Sequence, residues 1–176
     1  MRAPSPINSQ PVRFIRILSP ELKDCLREAM REGEEYLWEA VNNSTSPKRL
    51  KNWVNAYRRF SEFIFDAPVL FAVGTTMTFL NLAGKLFRAG AMEQGHEKHR
   101  DIDIAVGLAL KGYLLKGEEL GLGSCILTAP LIFIREPEGI LGLKGIEVKC
   151  FVTTGYPDEE PAYIKRKDIT EIYREI

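Results

Sequence analysis

The longest run without a charged residue, 67–84, constrains the fold most, because a stretch so apolar must either cross a membrane or lie buried on both faces. Pro68, Gly74, Thr75, Thr76, Thr78 and Asn81 interrupt it, and in lipid their polar groups would find no partners. The run therefore reads as a buried strand over 69–73 followed by a turn, with Asp66-Ala67-Pro68 closing the helix before it. On that reading the chain does not enter a membrane.

Two Ser-Pro pairs stand ahead of long amphipathic segments. A serine hydroxyl can cap a helix, and proline has a fixed φ suited to the first turn. After Ser19-Pro20, Leu22, Cys25, Leu26, Ala29, Met30, Leu37, Ala40 and Val41 recur at three- and four-residue spacing, which predicts one helix, weakened near Gly33. After Ser46-Pro47, Leu50, Trp53, Val54, Tyr57 and Ile64 mark the buried stripe of a second. The β-rich V-R-F-I-R-I-L at 12–18 predicts a strand. A helix over 80–92, a polar connection over 95–100 and a largely buried helix over 102–120 follow, the last with Ala105, Gly107, Ala109 and Gly112 small enough for close helix contact. Gly121 reads as its left-handed cap, 124–127 as a strand, 136–143 as a short helix and 148–154 as the last strand, before a turn at Gly155-Tyr156-Pro157-Asp158 and a charged tail over 161–176. Strands and helices alternating at unequal spacing predict an α+β fold, helices around a small sheet, in a single domain over 1–176.

Twenty-four basic and 24 acidic residues cancel, so there is no global field to hold nucleic acid or an anionic membrane. The three cysteines, Cys25, Cys125 and Cys150, have no C-x-x-C spacing, which argues against a disulfide framework and fits a reducing cytoplasm. Cys125 and Cys150 sit in apolar strands and read as core residues. His96 and His99 do not complete a metal site, and no metal is expected. Gly121-Leu122-Gly123-Ser124 follows a helix and precedes a strand, the reverse of a phosphate-binding glycine loop, but places residues 125–129 as an edge that could face a planar ligand. The proline-stiffened run 3–11 brings serine, asparagine and glutamine side chains ahead of a strand. It reads either as the polar edge of a heterocycle site or as a frayed tail.

These segments occur together and in order, and in that order they resemble the FMN-dependent nitroreductase family. Ala3-Pro4-Ser5-x-x-Asn8-x-Gln10-Pro11 resembles the family's A-P-S-x-x-N-x-Q-P segment, and Asp66-Ala67-Pro68-Val69 its central strand. The helix ending E-E-L-G-L-G-S-C at Cys125, Gly155-Tyr156-Pro157 and the basic Lys165-Arg166-Lys167 resemble its long helix, its closing turn and its tail. The resemblance implies a small, mostly antiparallel sheet flanked by helices, and a cytoplasmic homodimer with FMN at the subunit interface. It implies that Pro4, Ser5 and Asn8, with Gln10 nearby, approach the flavin. Ile126, Leu127, Thr128 and Ala129 would lie beside the ring of the same or the other subunit, an amide near Thr128 would face N5, and Arg166 with Lys165 would hold the phosphate. The implied activity is hydride transfer from NAD(P)H, NADPH among the candidates, through flavin N5 to a nitroaromatic, quinone or related acceptor, with no separate catalytic acid or base.

The family's arginine-rich R-R-S-x-R segment has no counterpart here, which leaves Arg13, Arg16 or the 165–167 cluster for the phosphate and gives weak flavin retention as the expectation. A scaffold or ligand-binding relative with little or no flavin affinity is the alternative.

Overall fold

The Ser19 side chain accepts from the Leu22 amide at 3.2 Å, and the helix it opens, α1 (Pro20–Asn42), runs without a break through Gly33. In the computed structural model, which describes residues 3–76, 82–91, 100–159, 162 and 164–175, Gly33 is a contact point and not the expected weak spot. A Cβ there would overlap the carbonyl oxygen of Phe133, so only glycine lets the two backbones approach this closely. Helix α2 (Pro47–Glu62) returns antiparallel, joined to α1 by Arg58 Nε to Glu34 at 3.2 Å. Ser46 supplies no side-chain cap to it.

The expected buried stripe of α2 is only partly buried. Leu50 and Val54 turn inward and Ser61 and Ile64 are buried, whereas Trp53 is 54% and Tyr57 49% exposed. At 100° per residue Trp53 stands 60° to 100° around the helix from Leu50 and Val54, whereas Tyr57 lies within 20° of Leu50 on the same stripe, so the apolar spacing alone does not tell which members of a stripe a neighbour covers.

Four strands, β1 (Val12–Arg16), β2 (Val69–Thr76), β3 (Gly123–Leu127) and β4 (Ile146–Gly155), form one sheet in the order β1-β2-β4-β3, antiparallel throughout. Alternation sorts the central strands between two layers. Leu70, Ala72, Val148 and Phe151 pack with Leu26, Met30, Ile64 and Phe133 on the α1–α2 side. Val73, Cys150 and Val152 pack with Val106 and Leu110 of α4 (Arg100–Glu119) on the other. Between β2 and α4 lies α3 (Leu82–Arg88), the described part of the helix expected over 80–92.

Helix α4 is half-buried, contrary to the expectation of a largely buried one. Ala105 and Ala109 are buried, but Ile104 is 63% exposed, Leu108 and Leu115 are exposed with it, and Gly107 and Gly112 face open space. Gly121 does close the connection in the left-handed region, at φ +71°. Two single-turn helices not foreseen from sequence spacing, α5 (Pro130–Phe133) and α7 (Ile169–Ile172), join α6 (Pro137–Ile140), and Asp168 and Glu171 form a reciprocal capping box on α7. No helix among the described residues is long and apolar enough to cross a membrane.

Candidate functional site

Positive φ is rare outside glycine, and rarest for a β-branched residue. Three residues within four positions adopt it here: Ile7 at 44°, Asn8 at 56° and Gln10 at 48°. Together they fold residues 5–10 into a knuckle against the N-terminal half of α4. Ser5 Oγ accepts from the Gln10 amide at 2.9 Å, Gln10 Nε2 donates to Asn8 Oδ1 at 3.3 Å, and Arg13 Nη1 donates to the Gln10 carbonyl at 2.7 Å. These bonds hold the strained backbone. The run is thus an ordered loop and not a frayed tail.

The knuckle makes two adjoining concavities. One, of about 420 Å³, is lined by Pro4, Ser5, Pro6, Asp101, Ile104, Ala105 and Leu108. The other, of about 170 Å³, includes Ser5, Gln10, Arg13, Phe14 and Ala109. A mostly apolar wall with a few polar groups at its rim suits a planar heterocycle. The Ser5 hydroxyl, its oxygen already accepting, keeps its proton to donate, and the exposed Gln10 amide offers both polarities, while Asn8 lines neither concavity and reaches them through its bond to Gln10. By donor chemistry these residues fit the ring of a flavin, and Arg13 brings a cation to the same concavity.

The other sequence-derived candidates lie elsewhere in the chain. Ile126 and Leu127 are on β3, and Thr128 and Ala129 lead from it into α5, at the opposite edge of the sheet from β1. Three strand spacings, about 14 Å, separate the two edges. Lys165 and Arg166 are exposed in the tail and line neither concavity. The two ends of α4 connect the edges: its first turns line the cavity, and at its far end Tyr113 Oη and Ser124 Oγ both meet Thr154 Oγ1, at 2.7 and 2.9 Å. Asp101, Ile104 and Leu108 were missed from sequence because nothing in a helical repeat says which loop will dock on it.

Cys150 is buried, as expected, and burial pushes its thiol up to about 11. Cys125, expected in the core, is exposed, because β3 is an edge strand whose outer face is uncovered. A thiol reagent at pH 8 should therefore modify Cys25 and Cys125 in the folded protein and spare Cys150 until denaturant is added. Three thiols reacting at one rate would contradict that burial. His96 and His99 lie outside the described residues.

Comparison with known proteins bears on the same architecture. A family model described as the nitroreductase family matches residues 1–156. An iodotyrosine deiodinase of Thermotoga neapolitana is 28% identical over 175 residues, 97% of this chain and 79% of the relative. Among solved structures, a BluB-like flavoprotein from Clostridium difficile 630 superposes with a TM-score of 0.81 at 22% identity, covering 99% of this chain and 84% of the other. An iodotyrosine deiodinase bound to FMN and 3-iodo-L-tyrosine superposes at 0.62 with 27% identity, covering 95% and 78%.

Proposed function

The chain belongs to the nitroreductase family, and from that premise we propose that it is an FMN-dependent NAD(P)H oxidoreductase acting on a nitroaromatic, quinone or related small acceptor. The observation that carries this reading is the strained, internally bonded 5–10 knuckle closing an apolar cavity against α4. FMN bound there would supply hydride acceptance at N5 and delivery to a second substrate. The chain's own groups position and polarise. Pro4, Pro6, Ile104 and Leu108 exclude water from one face, and Ser5 and Gln10 hydrogen-bond the polar edge, with Asn8 acting through its bond to Gln10. Ile126, Thr128 and Ala129 supply the second wall, the Leu127 side chain being packed in the core, and Lys165 and Arg166, with Arg13, neutralise the phosphate.

Because the two walls stand at opposite edges of one sheet, the complete site takes the knuckle from one copy and the β3 end from another, in a homodimer. The exposed stripe of Ile104, Leu108 and Leu115 on α4, with Gly107 beside it, gives that dimer an apolar, close-approaching seam. Sedimentation showing only monomer at micromolar concentration would refute it.

A visible spectrum of the purified protein supplemented with FMN tests the whole reading. A bound-flavin band bleached by NADPH and restored by a quinone supports it, whereas no binding leaves only the scaffold. Asn8→Ala should change quinone turnover with the circular dichroism intact, and unchanged kinetics would take the loop out of the site. Arg166→Ala should weaken FMN by about 1.5 to 3 kcal/mol, the worth of a hydrogen bond to a charged group. Equal affinity in mutant and parent would release Arg166 to solvent.

The Thermotoga relative favours a second acceptor class, a halogenated tyrosine. In that reaction NAD(P)H would deliver a hydride equivalent, the aryl carbon–iodine bond would become carbon–hydrogen, and iodide would leave. Iodide release from 3-iodotyrosine, measured beside quinone reduction, separates the two.

A further inference from the structure

The zero net charge of the chain hides a strong local separation. Helix α1 carries seven acidic and three basic residues, and α2 five basic and one acidic. On α1, Glu21, Asp24, Glu28, Glu32, Glu35 and Glu39 recur at three- and four-residue spacing, forming a ridge opposite the buried Leu26, Met30 and Gly33. Arg27 and Arg31 pair with Asp24, Glu28 and Glu35 of this ridge, and Glu32 and Glu39 have no ion pair among the described residues. On α2, the outward face carries Trp53, Phe60 at 69% exposure and Phe63 just beyond the helix end, between Lys48, Arg49 and Arg59. Arg49 lies over the Trp53 ring at 5.0 Å, and none of these three cations has an ion pair among the described residues.

We propose that the outer face of the α1–α2 hairpin pairs with the same face of a second copy, the acidic ridge of one lying on the basic, aromatic face of the other. A two-fold axis through an antiparallel hairpin sets α1 against α2 of the partner twice over, so adjacent stripes of opposite sign are self-complementary. Exposed Trp, Phe and Arg are the residue types that anchor protein interfaces. The acidic ridge decides against an anionic bilayer, which would attract α2 but meet repulsion from α1 beside it. This surface is on the opposite side of the sheet from α4 and uses no residue of the flavin site, so it stands whether or not flavin binds.

Sedimentation of the FMN-supplemented full chain tests it. Lys48→Glu with Arg59→Glu should reduce the assembly to the dimer held by the proposed α4 seam. So should Glu28→Lys with Glu32→Lys, while all four changes together should restore it, which a merely misfolded variant would not do. Raising salt from 0.05 to 0.5 M should weaken the parent association at least about tenfold. Masses unchanged by either charge reversal, or a fourfold variant that stays dissociated, would overturn the pairing. Unchanged mass with variant-sensitive binding to phosphatidylglycerol vesicles would assign the face to lipid and equally overturn it.

Discussion

On the proposed dimer, Leu115→Glu should lower the sedimenting mass of the protein and its FMN affinity, the latter at least about a hundredfold, although residue 115 lines neither concavity of the site. A carboxylate on the exposed apolar stripe of α4 must be desolvated to re-form the seam, and an unpaired buried charge costs several kcal/mol. Each tenfold in affinity is about 1.4 kcal/mol, so losing half of the flavin's surroundings readily accounts for two decades. The measurement pairs sedimentation velocity with flavin-fluorescence titration of the same sample. A dissociated protein that still held FMN as tightly as the parent would mean that one chain builds the whole site, and would remove the reason for placing its two walls on different copies.

Gly33→Ala should be the most damaging glycine-to-alanine change among the described residues. The added Cβ overlaps the Phe133 carbonyl oxygen, a backbone atom fixed at the end of α5 and by the core around Phe133, so α1 and α5 must separate. Overpacking of this kind costs about 3 kcal/mol. At roughly 2 to 4 °C per kcal/mol for a chain of this length, the melting temperature should fall by about 6 to 12 °C. Gly139→Ala on α6, where nothing lies within reach of the new methyl and no seam is proposed, is the control and should stabilise slightly through helix propensity. Equal melting temperatures for parent and Gly33→Ala would show that the helices give way without cost.

Much of the architecture was legible because local chemistry fixes it. Ser19-Pro20 starts α1, and the uncharged run becomes the doubly covered β2, with Leu70 and Ala72 facing one layer and Phe71 and Val73 the other. What was not legible depends on which neighbour a residue meets. Trp53 and Tyr57 fit a helical repeat as well as Leu50 and Val54 do, and only the position of α1 decides which pair is covered. Gly33 looked like a weakness because its partner, Phe133, is a hundred residues away in the chain. In the candidate site, Pro4, Ser5, Asn8 and Gln10 were readable as polar and stiff, but the left-handed backbone of Ile7 was not, since a β-branched side chain argues against it. The separation of that loop from Ile126–Ala129 follows from strand order, which no local signal encodes.

In the proposed dimer, that placement at opposite edges of one sheet divides each site between two gene products. A chain defective only in its knuckle and a chain defective only at its β3 end would each be inactive alone. Mixed in one cell or refolded together, they would form some hybrids in which the intact knuckle of one meets the intact β3 end of the other. The second site of each hybrid would carry both defects. With random pairing, half of the dimers are hybrids with one good site in two, so about a quarter of the parental activity should return from two dead alleles.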